Sequence, residues 1–236
     1  MKAYYDLHIH SVLSPCADNE MTPNNIVNMA YIKGLDIIAV TDHNLALNCE
    51  AVLKCAKNRG IVAVPGMEIE TKEEVHMLCL FPGLDEVLKM QSIVNKTLPQ
   101  IENREDIFGQ QIIMDEEDNV IGNYNQMLLT ATGLSIDELF EEAGQLGGVV
   151  IPAHIDRDSY SIISNLGIVP DYLGIKYLEV SKACLVNDFL SSNPYLSPYG
   201  FLKSSDAHNL GDLMEKENSI EVKEISIRGL LDALKK

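Results

Sequence analysis

The stretch Tyr5-Asp6-Leu7-His8-Ile9-His10 decides how the rest of the chain is read. Residues 3–7 read as a strand. In an extended backbone residues two apart face the same side, so His8 and His10 project together from its end. Two imidazoles side by side form a pair of nitrogen donors, and histidine is the commonest metal ligand near neutral pH. The same device returns downstream. Apolar runs are closed by His43 in Thr41-Asp42-His43-Asn44, by His154 in Ile151-Pro152-Ala153-His154, and by the Asp206/His208 pair in Ser205-Asp206-Ala207-His208. His76 closes a run that begins at Glu68. All six histidines of the chain are thereby used, and none is left for ordinary surface duty.

Helical patterns alternate with these runs. Thr22-Pro23 supplies an N-cap and a first-turn proline, Ile26, Met29, Ala30 and Ile32 roughly mark one face, and Gly34 stops the helix. Residues 36–41, 61–64, 74–81, 149–153, 177–180 and 199–204 read as strands. Residues 45–59 read as a helix ending at Gly60. Ser135-Ile136-Asp137-Glu138 is a capping box opening a helix to Leu146, and residues 226–234 form an amphipathic helix. Strands alternating with helices imply βαβ units and a parallel sheet. For a chain of 236 residues the expected closure is barrel-like, with an open doubly wound sheet as the alternative. In such folds sites collect at the C-terminal ends of the strands. Residues 98–130 break the rhythm: two short apolar segments flank Asp115-Glu116-Glu117-Asp118-Asn119, which reads as an inserted hairpin with an acidic turn. It forms either part of a lid or a solvated excursion. No repeat or linker divides the chain, so residues 1–236 are expected to form one domain.

The chain carries 18 basic and 35 acidic residues, a formal net charge of −17. Phosphate contacts normally come from clustered Lys and Arg, so this balance argues against a nucleic-acid duplex as partner. No apolar run is long enough to cross a bilayer, and no signal peptide is visible, so a cytoplasmic protein without a membrane partner is expected. The five cysteines form no C-x-x-C pair, which fits a reducing compartment. Each reads as a small buried apolar residue.

Ligand types narrow the metal. Imidazole nitrogen mixed with carboxylate oxygen, with no thiolate, suits Zn²⁺, Mn²⁺ or Fe²⁺ better than Ca²⁺ or a structural cysteine-zinc site. Six histidines with Asp18, Glu68 and Asp206 exceed the needs of one ion, so two or three are expected, with a carboxylate bridging. Each acid taken singly has another reading: Asp18 as a turn former beside Asn19, Asp42 as a helix cap, Glu68 and Glu70 as solvated edge residues.

Taken in order, Asp6-Leu7-His8-Ile9-His10-Ser11, Asp18, Thr41-Asp42-His43-Asn44, Gly66-Met67-Glu68, His76, Pro152-Ala153-His154 and Ser205-Asp206-Ala207-His208 resemble the PHP domain (polymerase and histidinol phosphatase). The resemblance implies a distorted (β/α)7 barrel with a trinuclear metal centre and phosphoesterase chemistry. Carried over by position, His8, His10, Glu68 and Asp206 hold a first ion, Asp18, His43 and His208 a second, and Glu68 bridges to a third completed by His76 and His154. The implied reaction is hydrolysis of a small phosphate monoester, a phosphorylated metabolite or nucleotide, by a metal-activated hydroxide. Asp206 would orient the nucleophile, His208 or His154 would protonate the leaving group, and Asp42 would fix a ligating imidazole. Arg157 would clamp the phosphate, or else pair with Asp156 or Asp158 at the surface. Two other readings keep the metals: a C–N hydrolase or deaminase, and a regulatory metal-binding module without turnover.

Overall fold

Tyr5, Asp6, Leu7, His8 and Ile9 are all buried. A strand covered on both faces belongs inside a sheet flanked by helices, and that is where β1 (Lys2–Ile9) lies. The computed structural model describes residues 1–236. After β1 come α1 (Pro23–Ile32), β2 (Ile37–Val40), α2 (Cys49–Arg59), β3 (Val62–Glu70), β4 (His76–Leu80) and α3 (Leu84–Thr97). A single turn, α4 (Glu105–Phe108), leads into the hairpin strands β5 (Ile112–Met114) and β6 (Val120–Asn123). The chain then forms α5 (Ile136–Gln145), β7 (Val149–Pro152), α6 (Ile162–Leu166), β8 (Tyr177–Val180), α7 (Val186–Ser192), β9 (Gly200–Lys203), β10 (Ser219–Glu221) and α8 (Ile227–Leu234).

The fold is α/β, built on a curled half-barrel sheet of six strands in the order β10-β1-β2-β3-β4-β7. The pairs β1/β2 and β2/β3 are parallel, but β4 runs antiparallel to both β3 and β7, and β10 antiparallel to β1. The all-parallel sheet expected from alternation therefore does not form. The reason is chain length: only residues 71–75 join β3 to β4, too few for a crossover, and Glu74 turns there at φ 58°. Strands β8 and β9 form a separate parallel pair. That pair is tied to the sheet on both sides, since Ile155 N–H donates to Glu179 O (2.9 Å) and His10 N–H donates to Ala207 O (2.9 Å).

The concave side of the sheet is packed rather than open. Leu7, Ala39, Val64, Leu78, Ile151 and Leu202 meet there with Leu230, Leu231 and Leu234 of α8. Outside, a second cluster fills the space beneath α3 and α5, with Phe81 wholly buried in it. Both expected caps form: Thr22 Oγ1 accepts from Asn25 N–H, and Ser135 and Glu138 make a reciprocal capping box. Helix α2 begins four residues later than the sequence suggests. Asn44 stands at φ 53°, and Asn48 instead spends its amide on Ser11 Oγ, Ile112 O and Met114 N–H, fastening β5 beside the loop after β1. The acidic turn of the hairpin is likewise tied down, because Asp118 accepts from Thr22 Oγ1 and Asn24 N–H at the start of α1. An anion there is favoured by the unpaired amides of a helix N-terminus.

Replacing Phe81 by Ala is expected to cost about 3–5 kcal/mol, the usual loss on emptying a buried aromatic site. Urea unfolding should show the midpoint falling with an unchanged slope; an unshifted midpoint would contradict the packing described.

Candidate metal centre

All the candidate histidines lie at one end of the sheet. His8 and His10 finish β1, His43 follows β2, Glu68 is near the end of β3, His154 follows β7, and Asp206 and His208 follow β9. His76 joins them from the first position of β4 because that strand runs the other way. Chain reversal at β4 thus brings a sixth imidazole to a mouth that parallel strands alone would not give it.

Hydrogen bonds at the rear of each ring decide which nitrogen faces inward. Ser14 Oγ donates its one proton to Asp42 Oδ1 (2.7 Å), so toward His10 Nδ1 (3.0 Å) it can only accept. The His10 proton is thereby placed on Nδ1 and the Nε2 lone pair turns inward. Glu179 acts in the same way on His8, accepting from Nδ1 at 3.0 and 3.2 Å, and it also takes the His154 N–H at 3.1 Å. His208 Nδ1 donates to the carbonyl of Asp206 (2.9 Å).

The inward atoms then crowd one another. His8 Nε2 lies 3.1 Å from His10 Nε2, 3.3 Å from Glu68 Oε1 and 3.2 Å from Asp206 Oδ1. His10 Nε2 lies 3.0 Å from Asp206 Oδ1 and 3.5 Å from Glu68 Oε2. Four acceptor groups at such separations repel unless something positive sits between them. With metal–ligand bonds of about 2.0–2.2 Å, neighbouring ligands of a tetrahedron or octahedron sit roughly 3–3.5 Å apart, which matches these edges. Further round, Glu68 Oε1 faces His76 Nδ1 (2.9 Å) and His154 Nε2 (3.1 Å), and Oε2 faces His43 Nδ1 (2.9 Å). Glu68 Oε2 is buried without a hydrogen-bond partner. Ligand atoms converge in three groups: His8/His10/Glu68, His10/His43/His208 and His43/Glu68/His76. These residues fit divalent cations.

The electrostatics show how strongly these groups press charge on one another when no cation lies between them. Burial opposes charge on Glu68, but His76, His8 and His43 outweigh it and hold the carboxyl well below its usual range. Burial also opposes charge on His8, yet Glu179, Asp206 and Glu68 raise its pKa well above that of a free imidazole. His10, pressed by burial and by His43, goes well below it. Backbone strain gathers here too: His154 (φ 32°), Asp206 (φ 50°) and Tyr160 (φ 57°) all take left-handed conformations that only glycine adopts freely.

Two candidates stand elsewhere than the spacing suggested. Asp18 is exposed, and its Oδ1 accepts from Glu20 N–H (2.9 Å) within its own turn. Arg157 pairs with neither Asp156 nor Asp158; its Nη1 lies 2.7 Å from Asp206 Oδ2, at the rim of a cleft of about 370 Å³. Asp156 instead accepts from Ser181 N–H and Oγ. His154 is buried against Glu68, so of the two imidazoles considered as proton donors only His208 reaches the opening. Sequence reasoning missed Glu179, whose signal was an acid set between Leu178 and Val180 in an otherwise apolar strand. It also missed Cys16, read as a buried apolar residue. Cys16 is exposed and lines the cleft beside His43 and His208. Burial raises its thiol pKa, but the neighbouring His208 and His43 imidazoles outweigh this and bring it to about 6.

The PHP-domain family model matches residues 6–181, and the chain belongs to that family. A 5'-3' exoribonuclease of Haemophilus influenzae is 35% identical over 74 residues, 31% of this chain and 26% of that protein. The lesion-specific endonuclease Q of Pyrococcus furiosus shares the fold over the whole chain and 56% of its own, with a TM-score of 0.67 and 22% identity. A further structure, of endonuclease Q with a 27-mer duplex carrying an abasic lesion at the active site, gives a TM-score of 0.73 at 22% identity, covering all of this chain and 57% of that one. A protein of Bifidobacterium adolescentis, described as a metal-dependent phosphoesterase, matches at TM-score 0.61 and 18% identity over 91% of each chain. The chain thus spans well under two-thirds of the exoribonuclease and of endonuclease Q.

The expectation of a small phosphorylated metabolite, with duplex nucleic acid excluded, does not stand. The same fold carries a DNA duplex in endonuclease Q. A charge summed over the whole chain does not report the potential in one cleft, where bound cations would reverse the local sign.

Glu179→Gln keeps the shape but no longer offers a full charge to His8 Nδ1. Metal affinity is expected to fall about 10–100-fold, the usual effect of losing a group that orients a ligand. Competition with a chromophoric chelator would read it, and an unchanged affinity would remove Glu179 from that role.

Proposed function

We propose that this chain is a metal-dependent phosphoesterase whose substrate is a phosphoester of a nucleic-acid strand. The observation that carries the reading is the set of inward-facing lone pairs on His8, His10, Glu68 and Asp206, spaced as the edges of one coordination shell. His8, His10, Glu68 and Asp206 are assigned to a first ion, His43 and His208 to a second, and Glu68 with His76 and His154 to a third. Bound divalent cations would supply a nucleophile from water at neutral pH and neutralise charge on the phosphoryl oxygens.

The chain's own residues do the rest. Glu179 and Ser14 hold the proton on the outer nitrogens of His8 and His10, so that Nε2 stays free to bind. Arg157 swings from Asp206 to a non-bridging phosphate oxygen, where a guanidinium binds in a fork. Tyr160, stacked on His76 with ring centres 4.7 Å apart, offers an exposed aromatic face beside the cleft for a nucleobase. The same reading takes β1, β2, β3, β4, β7, β8 and β9 as one distorted seven-stranded ring with its reacting end at this mouth. The segment around residues 98–130 then flanks the mouth as a partial lid, through Leu129 at the cleft wall. Support for a nucleic-acid strand comes from the exoribonuclease and endonuclease activities named for the relatives.

The test is a panel of end-labelled strands assayed with Mn²⁺ or Zn²⁺: 5'-phosphorylated single-stranded RNA and DNA, and a duplex with one abasic site. Release of a terminal phosphate would mark a monoester substrate, and shortened strands a diester. At least one should be cleaved, with His8→Ala and Asp206→Ala at background and folded by circular dichroism. A fully metallated protein inert toward every strand would sink the proposal.

A further inference from the structure

Glu68 and Glu70 stand two apart on β3, so both face the cleft. Glu68 meets imidazoles there, and Asp206 meets His8, His10 and Arg157. Glu70 meets no donor. Its side chain is only 9% exposed, and the one cation within 4 Å, His76 Nε2, stands 3.8 Å away, beyond hydrogen-bond reach. The backbone nevertheless holds this residue firmly. Glu70 N–H donates to Asn44 Oδ1 (3.0 Å), and Glu70 O accepts from Thr132 N–H (2.9 Å) and Oγ1 (2.8 Å). Asn44 in turn donates to Leu128 O and Thr130 O, so the segment that closes the insertion braces this end of β3. A carboxylate so far from water is costly without a donor, and in a cleft for phosphate it repels the charged end of the ligand. It suits a ligand that brings a neutral donor.

We propose that Glu70 accepts a hydrogen bond from a ribose 2'-hydroxyl of the bound strand, and that the cleft thereby selects RNA over DNA. The inference rests on the nucleic-acid reading above and deepens it. In that reading Arg157 and the candidate ligands mark the phosphate position, and Tyr160 marks the base position. His76 joins the two: its Nδ1 faces Glu68 (2.9 Å), and Tyr160 stacks on its ring with centres 4.7 Å apart. Glu70 flanks the same ring, which puts its carboxylate beside the sugar of a nucleotide whose phosphate and base occupy the two ends. The 2'-hydroxyl is a donor that RNA offers at this place and DNA lacks. A carboxylate is a fitting partner, as the acid that takes the ribose hydroxyl in dinucleotide sites shows. Of the acids lining the cleft, Glu70 alone is neither a proposed ligand nor committed to a donor of the protein.

The test uses the wild-type protein loaded with Mn²⁺ and one sequence made as RNA, as 2'-fluoro RNA and as DNA. The fluoro sugar keeps the ribose shape but cannot donate. RNA should be cleaved with a kcat/KM about 10–100-fold above the other two, the factor carried by a hydrogen bond to a charged group. Glu70→Ala should lower the RNA value to that of the other strands and leave the DNA value unchanged. Glu70→Gln keeps the shape but offers a neutral acceptor, so it should retain part of the preference, and it guards against a folding defect in the alanine variant. Metal content by elemental analysis should equal that of the wild type in both. Equal cleavage of RNA and 2'-fluoro RNA by the wild type, or a preference undiminished in the folded variants, would overturn the assignment and leave the nucleic-acid reading standing. So would loss of an ion with an equal fall on all three strands, which would place Glu70 behind His76 instead. A metallated wild type inert toward all three strands would overturn both.

Discussion

Buried carboxylates govern this structure, because a carboxylate taken out of water must be paired or pay heavily for its charge. Asp6, Asp42, Glu68 and Glu179 are all essentially inaccessible. Three of them are satisfied by the protein itself, and each satisfies its charge on a loop belonging to another strand. Asp6 accepts from Ser205 N–H, Ser205 Oγ and Met214 N–H, fixing the loop that carries Asp206 and His208. Asp42 accepts from Ser11 N–H, Ser11 Oγ and Ser14 Oγ, fixing the loop that carries Cys16. Glu179 spans His8 and the His154 amide. Glu68 is the exception, with imidazoles around it and one oxygen unsatisfied. The division separates scaffold from candidate centre: acids that the chain neutralises hold loops, and the acid it leaves open stands among the candidate metal ligands.

That division also explains what the sequence could and could not show. The two-residue spacing of His8/His10 and Asp206/His208 is a local property of extended backbone, so their common direction was legible before any fold was known. So were the caps at Thr22 and Ser135, whose signals lie within four residues. Strand β10 escaped because three residues carry no readable alternation, whereas helix α3 went unread although Val87, Met90 and Val94 recur at helical spacing. Strand β3 was cut short at residue 64 because Pro65-Gly66 reads as a turn. The strand continues because Gly66 pairs with Leu80 of β4, and the position requires glycine because an added Cβ would stand 2.9 Å from Cys79 O and 2.9 Å from Thr41 Cγ2. Glu179 and Cys16 were invisible as site residues for one shared reason. Their partners lie 171 residues away in the first case and across two loops in the second, and neither carries a neighbouring motif.

Charge shows the same limit from the other side. The net charge of −17 is a true property of the chain, and it led to a wrong exclusion. Of the side chains lining the cleft, Arg157 alone carries a permanent positive charge, set against Glu68, Glu70 and Asp206. A phosphate approaching those groups alone would be repelled. Divalent cations between the acids would reverse the local balance, and on the proposed reading Arg157, released from Asp206 by a phosphate, would add to it. On the proposed reading, acidity in the cleft serves to hold cations, and the cations would be what makes an anionic strand acceptable. Screening confines any repulsion from acids elsewhere on the surface to about 8–10 Å at physiological salt, too short a reach to govern the cleft from the outer helices.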